Sequence, residues 1–215
     1  MDLKTGVPNK VATASAHQNY NAKGICPSTY GAKGVAPAAY SPKSSMIYVP
    51  LNHLCMNYEA VESRYSAGQP WVGAFQTDFA GSDGVMGGFA AYNPITNKLA
   101  WYNKEKLPVL GGALATASNL VFYGTGSRWF KALDAKTGQE LWKFQVGSSI
   151  LGNPFTYQLK GKQYVGVMSG LGGMAGMAII NQPRCYDCWL LGPLVSGLVD
   201  TNAQPGAGTL NIFSL

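Results

Sequence analysis

The feature that most constrains this 215-residue chain is an internal repeat at a fixed offset. Residues 89–101 read Phe-Ala-Ala-Tyr-Asn-Pro-Ile-Thr-Asn-Lys-Leu-Ala-Trp, and residues 130–142 read Phe-Lys-Ala-Leu-Asp-Ala-Lys-Thr-Gly-Gln-Glu-Leu-Trp. Ala91 aligns with Ala132, Asn93 with Asp134, Thr96 with Thr137 and Trp101 with Trp142, each 41 residues apart. A period of about 40–45 residues is that of a four-stranded propeller blade. In each copy a strand ends at Asn93 or Asp134, where Asp and Thr can bond turn amides and Gly138 accepts a positive φ. The returning strand ends in Trp, whose flat ring can fill the gap between adjacent blades. A blade has two apolar faces and buries them only by stacking on neighbours.

Other stretches follow the same plan. Asp2-Leu3-Lys4-Thr5-Gly6 repeats the turn of residues 134–138, so the chain is expected to start inside a blade. Three hairpins are expected: residues 38–40 with 46–49, 113–117 with 120–123, and 155–159 with 163–168. They turn at Ser41-Pro42-Lys43, Ser118-Asn119 and Lys160-Gly161. Residues 209–215 alternate as a strand. The expected fold is all-β: a partial β-propeller of about three to four four-stranded antiparallel blades. Closed propellers have four to eight blades, so such an arc has raw edges.

Composition narrows the functional classes. Hydrophobic residues make up 47% and charged residues 12%, which excludes a disordered tail. No apolar run reaches the roughly 18–20 residues of a membrane helix. The net charge of +6 is carried by scattered Lys residues without interleaved stacking aromatics, which argues against nucleic-acid binding. A basic face could instead steer an acidic protein partner. The N-terminus has no signal-peptide pattern, whereas four Cys suit an oxidising compartment. The two readings agree if an N-terminal part with its signal is missing.

Several stretches together carry a family resemblance. They are Gly24-Ile25-Cys26-Pro27-Ser28, Ala36-Pro37-Ala38-Ala39-Tyr40-Ser41-Pro42-Lys43, Asn52-His53-Leu54-Cys55-Met56-Asn57-Tyr58-Glu59, Ala67-Gly68-Gln69-Pro70-Trp71-Val72-Gly73-Ala74 and Gly111-Gly112-Ala113-Leu114-Ala115-Thr116-Ala117, continued by Gly170-Leu171-Gly172-Gly173. On these, the chain resembles the C-terminal part of the large subunit of pyrroloquinoline-quinone (PQQ) dependent methanol and alcohol dehydrogenases. The resemblance implies an eight-bladed periplasmic quinoprotein that oxidises a primary alcohol. It also implies PQQ held over a calcium or lanthanide ion, electron transfer to cytochrome c, and a homodimer. The Ala-Tyr-Ser-Pro-Lys and Gly-Gln-Pro stretches lean toward the lanthanide members. The whole chain, residues 1–215, then reads as one domain, the C-terminal arc of the propeller, with residues 176–206 diverging from the family.

Carried over residue by residue, the resemblance pairs Cys26 with Cys55 in a disulfide. It places Gly34, Val35, Leu110, Gly111, Gly173 and Met174 beside the cofactor. Gly34 stands where the family has an Asn bonded to PQQ, and Leu110 and Met174 stand where it has Trp. These departures remove a polar contact and flat stacking surfaces. The family's metal ligands, catalytic base, quinone-side Arg and vicinal disulfide lie upstream of residue 1, so no catalytic or metal-binding residue is expected here. Asp78, Asp83 and Glu59 are read as loop residues that match no catalytic position. His53 is read as part of a strand. Cys185 and Cys188 form a lone CxxC; with only His17 and His53 in the chain, zinc would lack ligands.

Two functional readings follow. In the first, the chain is the cofactor-facing segment of an alcohol dehydrogenase, inactive without its missing N-terminal half. In the second, it is a degenerate, non-catalytic propeller used as a binding or assembly scaffold. A third, a scaffold like the outer-membrane assembly propeller lipoproteins, shares the Trp-ended repeat but not the block from Cys26 to Cys55.

Overall fold

The computed structural model of the chain describes residues 1–68, 73–170 and 208–214. These residues form fourteen strands and one turn of 3₁₀ helix at Ala12–Ala14. The strands make four antiparallel sheets.

The two repeat copies are the outer halves of two four-stranded blades. The first blade runs β2 (Ala39–Ser41), β3 (Met46–Asn52), β6 (Gly87–Asn93) and β7 (Lys98–Glu105). The second runs β8 (Ala113–Ala115), β9 (Leu120–Gly124), β10 (Trp129–Asp134) and β11 (Glu140–Gln145). Register repeats as faithfully as sequence. Ala91 pairs with Trp101 and Ala132 with Trp142, and in both blades a bulge follows that pair immediately. An extra residue there increases local twist.

The turns repeat too. Asp134 Oδ1 accepts the amides of Lys136 and Thr137 at 2.9 and 2.8 Å. Asn93 Oδ1 accepts those of Ile95 and Thr96 at 2.9 and 3.1 Å, and Asp2 Oδ1 those of Lys4 and Thr5 at 2.8 and 3.1 Å. The residue that closes each turn, Gly138, Asn97 or Gly6, has φ of 74°, 56° or 71°. Only Gly and Asn take that conformation readily. The amides of Thr137 and Lys136, with the Thr137 hydroxyl, hold the Asp134 carboxyl below its ordinary value.

The blades join through aromatic rings. Trp101 Nε1 donates to Ala135 O at 3.1 Å, and Asn103 Nδ2 donates to Gly138 O at 2.7 Å. The indole lies so close to Gly138 that a Cβ there would come within 2.6 Å of it. Phe89 stacks on Tyr123 with centroids 4.1 Å apart. Beside them, buried Glu105 accepts from Tyr123 Oη at 2.6 Å and pairs with Lys131 Nζ at 2.7 Å. Burial and the Glu105 charge raise the Tyr123 hydroxyl far above its ordinary range, so it remains a donor.

Trp101 is half-buried, as its packing role requires, but Trp142 is 38% exposed. Both indoles stand at equivalent register positions, Trp142 less deeply covered than Trp101. Its ring leans on Phe213 edge-on at 5.0 Å and on Phe130 at 6.1 Å, and its outer side faces an apolar groove lined by Leu141, Phe122 and Ile212.

Among the described residues the third sheet holds β12 (Phe155–Leu159), β13 (Lys162–Ser169) and β14 (Thr209–Ser214). The fourth sheet is an addition that the repeat does not announce. Strands β4 (Leu54–Ala60) and β5 (Ala74–Ala80) follow the first blade's β3 and pair with β1 (Asn21–Ile25), in the order β1-β4-β5. Cys26, just past β1, is joined to Cys55 on β4 by a disulfide. Closing this 29-residue separation contributes about 3–4 kcal/mol through the unfolded chain.

Candidate functional site

Three loops that precede or join inner strands converge. The loop of residues 30–37 leads into β2, that of residues 107–112 into β8, and that of residues 147–154 into β12. Ala113 N donates to Pro37 O at 2.9 Å. A Cβ on Gly112 would meet Pro37 Cγ and Asn153 Oδ1, both at 2.6 Å, and one on Gly111 would meet Gly152 O at 2.9 Å. These glycines let three loop backbones approach closely. The third loop is also tied to the end of β13, because Gly170 N donates to Ser149 O at 2.9 Å.

The first loop is anchored on the end of β3. Asn52 N donates to Ala32 O at 2.8 Å, and Lys33 Nζ donates to Gly34 O at 3.0 Å and to Ala36 O. Asn52 pairs with Gly87 across the sheet. Gly87 in turn packs so tightly against Leu107 and Pro108 that a Cβ would lie 2.8 Å from both. Thus Asn52 stands between the first loop and the second. The residue is 7% exposed, and its Oδ1 is buried with no hydrogen-bond partner.

The structure therefore brings Gly34, Leu110 and Gly111 into neighbouring loops. Gly111 is buried and Leu110 half-buried, whereas Val35 is fully exposed at 101%. Gly173 and Met174 lie outside the described residues, as do Cys185, Cys188, residues 176–206 and residues 69–72. Sequence reasoning missed Asn52. A polar residue that closes a strand has no distinctive signal, and its burial depends on Gly87 and residues 107–109, which are distant in sequence.

Other candidate groups fall elsewhere. Glu59 is on β4 and Asp78 on β5, not in loops. Burial raises the Asp78 carboxyl above its ordinary value, while Gln76 Nε2 donates to both of its oxygens. Burial, aided by the Asp78 charge, pushes the Tyr30 hydroxyl up to about 12. Asp83 does sit in a turn, bridging His53 Nδ1 at 2.9 Å and Lys104 Nζ at 3.1 Å. His53 occupies the connection between β3 and β4 rather than a strand interior. Exposed His17 stacks on Tyr20. Among the described residues no three His, Cys, Asp or Glu side chains cluster as a metal site would require. None of the described helices is long and apolar enough to cross a membrane.

Comparison with known proteins fits this geometry. Residues 83–165 match the family model "PQQ: Glucose/ethanol/alcohol dehydrogenase, beta-propeller domain". The lanthanide-dependent methanol dehydrogenase of Methylorubrum extorquens is 43% identical, over 97% of this chain and 35% of that protein. The chain is a relative of the PQQ-dependent alcohol dehydrogenases. The quinoprotein ethanol dehydrogenase of Pseudomonas aeruginosa is 40% identical, over 80% of this chain and 29% of its own length. A europium-containing methanol dehydrogenase superposes with a TM-score of 0.83 and 40% identity, over 96% of this chain and 37% of that one. The chain thus spans about a third of the length of these quinoprotein relatives.

The residues present fit a flat quinone in part. Leu110 offers an apolar wall, and the Gly111-Gly112 backbone offers close approach. Gly34 offers no side-chain donor. Asn52 carries an amide carbonyl in want of a partner.

Proposed function

We propose that this chain is one arc of a PQQ-dependent alcohol dehydrogenase propeller and walls the cofactor chamber without supplying the reacting groups. The observation that carries this reading is the convergence of residues 30–37, 107–112 and 147–154, locked together at Gly111 and Gly112. PQQ, when bound, would supply the two-electron acceptor: it would take the hydride from the carbinol carbon of a primary alcohol while a base from the rest of the propeller takes the hydroxyl proton, leaving the aldehyde. Leu110 and Gly111 form the apolar side of the pocket. Gly34 and Val35 form its rim. Their work is to hold the ring system and exclude water. The base, the calcium or lanthanide ligands and the remaining walls come from the rest of the propeller, which is the chain's principal partner. By similarity the complete enzyme is a periplasmic homodimer that passes electrons to cytochrome c, and the lanthanide-dependent relative favours a lanthanide.

The test is dye-linked methanol oxidation by the purified chain with PQQ and calcium or lanthanum. The chain alone is expected to give no turnover above the blank, and addition of the N-terminal portion of a related enzyme is expected to restore it. Turnover by the chain alone refutes the division of labour. A second reading, a non-catalytic scaffold, is favoured by Leu110 and Gly34, which lack the flat ring and amide of the relatives. Continued inertness after complementation would support it.

A further inference from the structure

The joint between the two complete blades has a donating half and a receiving half. On the first blade Tyr48 Oη and Trp101 Nε1 both donate to Ala135 O at 3.1 Å, and Asn103 Nδ2 donates to Gly138 O at 2.7 Å. The receiving half is the turn of residues 134–138. It is closed by Gly138 N donating to Asp134 O at 2.9 Å and by Asp134 N donating to Gln139 O at 2.9 Å. The Trp101 ring lies in the space that a Gly138 Cβ would need.

Each half of this joint recurs, exposed, elsewhere in the molecule. Trp142 holds in the second blade the register place of Trp101 in the first. Phe122 and Phe144 hold the places of Tyr48 and Asn103, so of these three positions only the indole keeps a donor. Among the described residues its Nε1 has no hydrogen-bond partner, and the ring is held by Phe130, Phe144 and Phe213 alone. In the third sheet Phe213 pairs with Val165 as Leu133 pairs with Val121. Ser214 thus holds the place of Asp134, and no described residue holds that of Ala135 or Gly138. The receiving half recurs at residues 2–6. Gly6 N donates to Asp2 O at 2.9 Å and Asp2 N to Val7 O at 2.9 Å, which matches the turn of residues 134–138 bond for bond. Nothing lies within 4 Å of where a Gly6 Cβ would be. Leu3, in the place of Ala135, is 92% exposed.

We propose that one copy of this chain seats its turn of residues 2–6 on Trp142 of another. Trp142 Nε1 then donates to Leu3 O, the ring covers Gly6, and the Leu3 side chain enters the apolar groove lined by Leu141, Phe122 and Ile212. Burial of Leu3 and of the outer side of the indole drives the association. A second copy is the partner because it carries the turn that the blade joint uses, with its glycine uncovered. The two halves lie on different parts of one copy, so the contact runs head to tail, and copies add in a row until a ring closes. The surface shares no residue with the loops of residues 30–37, 107–112 and 147–154, and the inference stands apart from the cofactor reading.

The test is sedimentation velocity of the purified full chain over a wide range of concentration. The wild type should grow in mass as concentration rises. Gly6→Asn should stay monomeric and folded, because Asn accepts the positive φ while its side chain takes the space of the indole. Trp142→Ala should stay monomeric as well. Mixed, these two variants should form a species of twice the chain mass and nothing larger. The intact Trp142 of one then meets the intact turn of the other, and both remaining halves are blocked. A wild type that is monomeric throughout overturns the inference, and so does a mixture that forms no dimer. Association that survives Gly6→Asn overturns it too, and moves the contact to another face. Should Trp142→Ala fail to fold, Gly6→Asn decides alone: lost association supports the inference, and persistent association refutes it.

Discussion

At the residue scale, two glycines with the same sequence context and the same backbone angle do different work. Gly6 and Gly138 close matching turns with φ of 71° and 74°. Nothing lies within 4 Å of where a Gly6 Cβ would be, whereas Trp101 fills that space at Gly138. Gly6→Ala should therefore cost only its backbone strain, about 1 kcal/mol. Gly138→Ala should cost that plus the displacement of the indole, about 2–4 kcal/mol in all. Urea denaturation of the two variants measures the difference. Equal costs would mean that the blade joint does not depend on this contact. The pattern Asp-x-x-Thr-Gly was legible in the sequence at both places, because the turn is built from neighbours in the chain. Which copy is packed was not, because the ring that packs it comes from another strand pair. The same limit hid the burial of Asn52, which depends on Ala32, Gly34 and Gly87.

At the element scale, the hairpins stand where alternation and turn residues put them, and β6–β7 and β10–β11 reproduce each other down to the bulge after Ala91 and Ala132. The sheet β1-β4-β5 was not legible as a sheet. Its strands pair across a long separation, Asn21 with Glu59, for instance, and neither its order nor its place follows from local pattern. The joint between the two complete blades was half legible: the Trp was visible, the buried Glu105 with Tyr123 and Lys131 was not. That cluster makes a specific expectation. Glu105→Ala leaves Lys131 with Glu140 alone and the buried Tyr123 hydroxyl without its acceptor, and should destabilise the chain by about 1–3 kcal/mol. The loss should be smaller for Glu105→Gln, which keeps an acceptor for Tyr123. Thermal or urea unfolding of both variants checks the order; equal losses would show that the carboxylate charge is irrelevant to the joint.

At the scale of the whole molecule, the first blade meets the second through Tyr48, Trp101 and Asn103, and the disulfide joins Cys26 to Cys55 around β2, β3 and the loop before them. This arrangement has a mechanical consequence. Pulled from its two ends, the chain should lengthen in steps, one sheet at a time, rather than in a single rupture. Residues between the two cysteines should contribute nothing to the extension while the bond is intact. Their hidden length is about 100 Å, from 29 residues at roughly 3.5 Å each. A force-extension trace taken with and without a reductant should differ by that contour length, and traces of equal length would mean that the bond does not form in solution. The covalent clasp beside the proposed cofactor face thus makes the segment bearing Gly34 and Asn52 inextensible as well as more stable: under load the rest of the arc pays out first, and the loop at the pocket keeps its shape.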